Sequence, residues 1–303
     1  MYQKDSLHSP IRPLSIIGFG ALGIQFLEQM QSDYSNSVPQ LLHYLALSSN
    51  PVELEASVID QQIFLETIPP TVKSITKPKS WLSQSHLDRI SNFLDDSVLS
   101  LIFLDANDLP VHFDYASAVA DLSRSESLIT IVALFGDSDA IISRSSELYS
   151  HADLVLNMPN LNTKPWFSLA QYQAAYQKLT DLLHICTKFE PATIPYDLAD
   201  LRCIMKTEYK SEVLIKSIEG SLQDETFLDK LKQQLGEGTY PLSKRFNKIL
   251  FHCTAGSDLT VNWIFEHVSY CQSQCDADQV ICAVVDGQDY FPQQVKLTLL
   301  AVV

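Results

Sequence analysis

The chain has 303 residues, of which 46% are hydrophobic, and a formal net charge of -15 at pH 7. Its length allows a substantial buried core and predicts about two domains, while no apolar run approaches the ~20 residues of a membrane-spanning helix. The negative charge opposes attachment to nucleic acid or anionic lipid, so we predict no nucleic-acid partner.

The segment before the first predicted strand, MYQKDSLHSPIRP, lacks the apolar region of a secretory signal. The six cysteines lie scattered in apolar segments and form no disulfide framework, which suits a reducing compartment. Both features predict a cytoplasmic protein.

The first half of the chain alternates apolar runs with helical periodicity. It predicts a strand at 14–18, a glycine loop, a helix to about Gln31 and a second strand in QLLHYLALSS. Further strands are predicted in VLSLIFLD, LITIVALF and ADLVLNMPN, with helices in HLDRISNFLDD and YASAVADLSRS. This alternation predicts a parallel sheet covered by helices on both faces.

The second half begins with a long amphipathic helix, predicted from about Leu169 to Lys188. The predicted organisation is a Rossmann-like, nucleotide-binding-type domain at 1–165, a central helix at 166–188 and a C-terminal mixed α/β domain at 189–303. The last domain has predicted strands in KILFHCTAG, QVICAVVD and QVKLTLLAVV, and a helix in VNWIFEHVSYCQSQ. We expect the last two strands to form an antiparallel pair.

Gly18, Gly20 and Gly23 have the GxGxxG spacing of a loop that lets a diphosphate approach a helix N-terminus. A dinucleotide site of this kind predicts an acidic residue about 20 residues further on. The second strand instead ends in LALSSN, without a carboxylate. An NADP-dependent reductase survives as an alternative, although the second half offers no motif for its catalytic Lys, His or Tyr.

Three later segments carry recognisable motifs: IPYDLADLRCIM, CTAGSDL and MPN at 158–160. They resemble segments of FtsZ, the bacterial homologue of tubulin. The first matches the family's catalytic loop N-x-D-x-A-D, the second matches I-T-A-G-x-D-L, and the third matches the I-P-N that closes the first domain. Their order and spacing agree with the family over roughly 14–303. The resemblance implies an FtsZ/tubulin-like α/β fold, GTP as the nucleotide, and assembly in which one subunit completes its neighbour's site.

The chain departs from that family in the nucleotide pocket. Where the family has a G-G-G-T-G-T-G loop, residues 105–114 read DANDLPVHFD, with no glycine, one proline and three carboxylates. Glycine-rich loops aim backbone N–H groups at phosphates, whereas carboxylates repel them. The family's guanine-contacting Asn aligns with about Tyr176. We predict a degenerate site at Gly18, Gly20, Gly23 and Tyr176, with GTP or GDP as its candidate ligand.

Asp197 and Asp200 occupy the two acidic positions of the family's catalytic loop, where carboxylates orient the attacking water. The resemblance implies catalytic residues that are vestigial or act in trans on a neighbouring subunit. Pro195 replaces the family's Asn, so this half-site is also altered. The same pair before an apolar helix fits an N-terminal capping arrangement, and the two interpretations are compatible.

The other residues that could contribute to a ligand or metal site are predicted not to do so. His112 is expected to be a solvated loop residue, and Gly256 to allow close packing in a tight turn. His267, Cys271 and Cys275 share one helical face without a fourth ligand nearby, which is typical of core and surface residues, so no metal site is predicted.

The residues and the resemblance together predict a divergent, GTPase-deficient FtsZ-like protein of the cytoskeletal, cell-division type. It would self-associate or dock on an FtsZ-type filament. The alternative enzyme is a GTPase with a rebuilt pocket. Because the sequence ends at Val303 in a predicted strand, without the family's membrane-recruiting tail, we expect no direct membrane insertion.

Overall fold

The computed structural model describes residues 13–34, 42–66, 78–137, 139–141, 148–159, 169–187, 192–194, 197–206, 213–236, 248–275, 279–286 and 291–302. The chain divides into two compact units, Met1–Asn160 and Leu161–Val303, so the central helix belongs to the second. Within the described ranges, no helix combines the length and apolar character needed to cross a membrane.

The first unit is a six-stranded sheet with helices. Its strands are β1 (Leu14–Phe19), β2 (Leu42–Ser48), β3 (Gln62–Phe64), β4 (Leu99–Asp105), β5 (Ile129–Phe135) and β6 (Leu154–Met158). The helices that are described in full are α1 (Gly20–Tyr34), α2 (Pro51–Ala56), a 3-10 turn (Pro78–Trp81), α3 (Gln84–Leu94) and α4 (Pro110–Ser125). The strand order is β3-β2-β1-β4-β5-β6, and every neighbouring pair is parallel, as predicted.

Complete burial of the central strands explains their unbroken apolar runs. All residues of β1, β4 and β5 are buried, as expected for a parallel sheet covered on both faces. Phe26 of α1 packs against Phe135 of β5 and Phe103 of β4, with ring centroids 4.6 and 5.7 Å apart. These contacts hold α1 over the middle of the sheet.

The second unit is a five-stranded mixed sheet with helices. Its strands are β7 (Ala192–Ile194), β8 (Val213–Ser221), β9 (Lys248–Ala255), β10 (Gln279–Asp286) and β11 (Gln294–Val302). Its helices are α5 (Leu169–Thr187), α6 (Leu198–Met205), α7 (Phe227–Gly236) and α8 (Val261–Cys275). The strand order is β7-β10-β9-β11-β8, which confirms the predicted mixed sheet.

The expected pairing of the last two strands is wrong. β10 pairs in parallel with β9, and β11 pairs antiparallel with both β9 and β8, so β9 separates them. The reason is the crossover through α8, which returns the chain to run alongside β9 in the same direction. β11 then takes the other edge of β9.

A buried polar cluster joins α5 to the second sheet. Asp181 of α5 is 2% exposed, and its Oδ1 lies 2.9 Å from Nζ of Lys296 on β11. Its Oδ2 accepts a hydrogen bond of 2.6 Å from Ser217 of β8, and its Oδ1 accepts one of 2.8 Å from Gln177. Burial by itself lowers the pKa of Lys296, but the hydrogen bonds and charges of Asp181 and Glu219 together outweigh it and raise that pKa.

Candidate functional site

The glycine loop joins the carboxyl end of β1 to the start of α1, but its glycines are needed for packing within the protein. A Cβ on Gly18 would lie 2.5 Å from the carbonyl oxygen of Gly23, and one on Gly23 would lie 2.8 Å from that of Phe103. Gly20 has φ +63°, a left-handed conformation that favours glycine. A Cβ there would overlap the carboxylate of Asp108 and lie 3.1 Å from Cε1 of His112. The spacing therefore meets packing requirements of the fold, and a role of these glycines in a nucleotide site stays a prediction.

The loop after β4, where the resembled family binds phosphate, uses its backbone N–H groups internally. The donors from 106 to 109 each have a protein acceptor, and Pro110 has no N–H. Ala106 donates to the Phe135 carbonyl (2.6 Å), Asn107 to Asp105 Oδ1 (2.9 Å), Asp108 to the Asp105 carbonyl (3.0 Å) and Leu109 to Asp108 Oδ1 (2.8 Å). A phosphate could bind these groups only if an existing hydrogen bond broke.

A carboxylate of the protein lies at the anion-binding end of α1. Helix N-termini attract anions through their unpaired N–H groups and the helix dipole. Asp108 lies against Gly20, the first residue of α1, and its side chain is 18% exposed. Asp105, the last residue of β4, is 7% exposed. Negative charge of the protein itself therefore lies against the first residue of α1.

His112 is buried, so the expectation of a solvated loop histidine is wrong. Pro110 begins α4, which places His112 in the first helical turn, where it is 2% exposed. Its Nε2 accepts the Ser49 N–H at 3.1 Å and lies 3.1 Å from Ser49 Oγ. Its Nδ1 lies 2.7 Å from Asp108 Oδ2, although the two are not aligned as a hydrogen bond.

The end of β2, where a dinucleotide site would bind ribose, is also internally satisfied. Asn50 caps α2 by accepting the Val52 N–H at 3.1 Å. Both oxygens of Glu53, in the first turn of α2, accept hydrogen bonds, from Ser48 Oγ at 2.6 Å and from Asn50 Nδ2 at 3.1 Å. The carboxylate in this region therefore stabilises the start of α2.

In the second unit, Asp197 and Asp200 form the capping arrangement that the sequence predicts. The Asp200 N–H donates to Asp197 Oδ1 at 2.8 Å, and the Asp197 N–H donates to Asp200 Oδ2 at 3.2 Å. This reciprocal capping box fixes two carboxylates at the start of α6. Asp197 is exposed and Asp200 is partly exposed, so solvent reaches the pair. Their catalytic role stays a prediction.

The other predicted site and motif residues lie in the second unit or outside the described residues. Tyr176 is half-buried on α5, in the second unit, and its role in a nucleotide site stays a prediction. Pro195, Tyr196 and Asn160, three residues of the motifs that resemble FtsZ, lie outside the described residues.

The residues predicted to be structural are packed accordingly. Gly256 lies against the backbone of Phe291 and Pro292, which a Cβ would overlap. His267 is 5% exposed and stacks on Trp263 with a ring separation of 3.8 Å. Burial lowers its pKa. In the part of the chain that the structure describes, no group of three or more His, Cys, Asp or Glu could hold a metal ion.

Sequence signals identified only part of this site. The glycine spacing and the acidic loop after β4 located the region, since parallel strands end at one edge of their sheet. The contact of Ser49 with His112 was missed because 63 residues separate them in sequence. The only available signals were a serine directly after one strand and a histidine two residues after the proline that starts a helix.

Comparison with solved structures identifies the fold. An FtsZ dimer from M. jannaschii, described as empty, has a TM-score of 0.66 and 16% identity, over 96% of this chain and 88% of that one. CetZ2 from Haloferax volcanii, in a GTPγS-bound protofilament, has a TM-score of 0.68 and 12% identity, over 95% and 92%. TubZ from Bacillus thuringiensis serovar israelensis, in a GTPγS-form protofilament, has a TM-score of 0.61 and 14% identity, over 96% and 86%.

No protein-family model matches the sequence, and no curated protein matches it. The structural likeness, at 12–16% identity, confirms the predicted FtsZ/tubulin fold. The three matches cover 95–96% of this chain, so the likeness extends over both units. The likeness at this identity concerns the fold alone.

Proposed function

We propose that this chain is a cytoplasmic, FtsZ-like protein that associates with itself or with an FtsZ-type filament without binding and hydrolysing GTP. The observation that carries the proposal is the internal use of every backbone N–H from 106 to 109, followed by Pro110. A phosphate-binding loop needs such groups directed at the ligand. Here each is committed to a protein acceptor.

The charge at the helix N-terminus supports the same proposal. A phosphate charge ~4 Å from the Asp108 carboxylate would cost ~1 kcal/mol in water and ~4 kcal/mol in the partly excluded environment of a pocket. Asp108 also accepts the N–H of Leu109, so its displacement would break a loop hydrogen bond. A nucleotide would have to overcome both costs.

The solved forms of structural relatives support a role in association. CetZ2 and TubZ were solved as protofilaments in GTPγS forms, and FtsZ as an empty dimer. In the resembled family, one subunit places its acidic loop against the nucleotide of the next. Asp197 and Asp200 remain solvent-accessible at the start of α6. This chain could therefore offer that loop to a neighbour while lacking a nucleotide site of its own, and so end or modulate a filament.

The proposal is tested by sedimentation and light scattering, for the protein alone and mixed with an FtsZ-type filament, in GTP, GDP or no nucleotide. We expect either self-assembly that is equal in the three conditions or a change in the amount of polymerised FtsZ. Asp200→Asn should weaken an effect on FtsZ filaments, whereas Asp229→Asn, at a side chain 74% exposed on α7, should not. Absence of both self-assembly and any effect on filaments would refute the proposal.

The alternative of a GTPase with a rebuilt pocket is favoured by one observation, the retained carboxylate pair of the catalytic loop. A rebuilt GTPase would release phosphate from GTP at a rate that depends on protein concentration. That rate should fall in Asp200→Asn. That outcome would assign Asp197 and Asp200 a hydrolytic role between subunits.

A further inference from the structure

We propose that Ser49, His112 and Asp108 form a site for acyl transfer, with Ser49 as the nucleophile and a small uncharged ester as the class of substrate. Ser49 Oγ lies 3.1 Å from His112 Nε2, and His112 Nδ1 lies 2.7 Å from Asp108 Oδ2. A nucleophile, a base and a carboxylate in this sequence of contacts are the parts of a serine hydrolase site. The inference is independent of the proposed role in filaments.

The hydrogen bonds of His112 set the required tautomer. Its Nε2 accepts the backbone N–H of Ser49, so Nε2 carries the lone pair and the ring proton resides on Nδ1. A lone pair at Nε2 within reach of Ser49 Oγ is what a general base needs to remove the hydroxyl proton. The backbone donor competes for the same lone pair, and it also holds the ring in place beside the hydroxyl.

Asp108 acts on His112 by charge. Its carboxylate is out of line with the Nδ1–H bond, yet at 2.7 Å it stabilises the imidazolium that forms when Nε2 takes a proton. The imidazole is 2% exposed, which keeps this interaction away from screening by solvent. Asp108 is therefore a positioning residue, and its removal should slow the reaction less than removal of Ser49.

The nucleophile is accessible to a small substrate. Ser49 is partly exposed, so a small acyl group can reach it.

The reaction balances without a cofactor. Ser49 Oγ bonds to the ester carbonyl carbon, its proton passes to His112 Nε2, and the carbon–oxygen bond to the leaving alcohol breaks as that proton is returned to the alkoxide. Water then attacks the acyl-serine by the same route, releasing the acid and restoring Ser49. The sum is ester plus water giving acid plus alcohol.

Labelling with a fluorophosphonate tests the nucleophile. In this step Ser49 Oγ bonds to phosphorus, fluoride leaves and the proton passes to His112. We expect intact-mass analysis to show one label per chain, peptide mapping to place it on Ser49, and Ser49→Ala to abolish it. Ser85→Ala, at an exposed serine of α3, is the matched control and should label like the wild type. Absence of label on the folded wild type, or label that persists in Ser49→Ala, would overturn the proposal.

Hydrolysis of p-nitrophenyl acetate tests the roles of the other two residues. We expect His112→Gln to lower kcat/KM by about 10²-fold or more, the usual contribution of a general base. Asp108→Asn should lower kcat less than His112→Gln does and leave KM unchanged, because the imidazolium loses its carboxylate while the ester still meets the same residues. Circular dichroism checks that the variants fold, and the separate effects of Asp108→Asn on kcat and KM remain informative if His112→Gln does not fold. A kcat equal to that of the wild type would refute the role of Asp108.

Discussion

The carboxylate of Asp108 lies against Gly20 so closely that any side chain at position 20 would overlap it. Gly20 is the first residue of α1, and Asp108 follows the strand next to β1 in the sheet. The protein therefore places its own anion at the helix end that would attract a phosphate. This contact joins the two loops from which the resembled family builds its phosphate site.

Gly20→Ala should destabilise the first unit by about 2 kcal/mol or more, because the left-handed backbone costs ~1–2 kcal/mol and the new methyl group overlaps Asp108. Urea denaturation measures the change. Ala21→Ser, at the exposed next position, should change the free energy of unfolding by less than about 0.5 kcal/mol. Equal stability of the Gly20→Ala and wild-type proteins would mean that the contact is absent in solution.

Lys296→Met should destabilise the second unit by about 3–5 kcal/mol, because it leaves the buried carboxylate of Asp181 without its cation. The double variant Lys296→Met, Asp181→Leu should be less destabilised than the sum of its single variants. A thermodynamic cycle from denaturant unfolding gives the coupling energy. If the free-energy changes of the two single variants simply added up in the double variant, Lys296 and Asp181 would not stabilise each other.

The same ion pair predicts a loss of stability in strong base. The pKa of Lys296 is raised in the folded protein above its ordinary value of 10.5, so folding favours the protonated ammonium. Its stabilising contribution is complete below pH 10.5 and declines as the pH rises through the higher folded pKa. Unfolding from pH 9 to 12 should therefore show a steeper loss of stability in the wild type than in Lys296→Met.

Lys178→Met should stabilise the protein at pH 7. Burial lowers the pKa of Lys178 to about 8, and the charge of Lys216 lowers it further. The charged ammonium at pH 7 therefore destabilises the folded state. Some exposure of the side chain limits the expected gain to about 1–3 kcal/mol. Between pH 8 and 10.5 the lysine loses its proton in the folded state but keeps it in the unfolded state, so the free energy of unfolding of the wild type should rise. The difference in stability between Lys178→Met and the wild type should therefore shrink over this range. A pH-independent difference would contradict this account.

Asp197→Ala should lower the free energy of unfolding by about 1 kcal/mol through loss of the cap on α6, whereas Asp197→Asn should retain most of it. The pair separates the structural role of the carboxylate from its proposed role toward a neighbour, since Asn can cap but carries no charge. If Asp197→Asn lost as much stability as Asp197→Ala, the negative charge at the helix start, and not the capping hydrogen bond, would account for the stabilisation.

The architecture was accessible from sequence because its signals are local. The apolar runs of β4 and β5 and the helical period of α5 each identify an element without reference to the rest of the chain. The capping box of Asp197 and Asp200 was predicted for the same reason. The place of β9 between β10 and β11 was not, because strand order depends on how the α8 crossover packs.

The candidate site required contacts across long sequence separations. Burial of His112 follows from the approach of Ser49 and Gly20, which no local pattern around PVHFD encodes. The repulsive character of the loop after β4 was predicted from composition. Its decisive property, the internal use of its N–H groups, depends on the folded turn and on Phe135 of the neighbouring strand.

Calorimetric titration of the purified protein with GTP and GDP in the presence of Mg²⁺ tests the proposal that the loops after β1 and β4 do not bind a nucleotide. We predict no binding at millimolar nucleotide, for the wild type and for Asp108→Asn alike, because the loop N–H groups remain bonded when the charge is removed. Micromolar binding to the wild type, followed by phosphate release that falls in Asp200→Asn, would contradict the proposal.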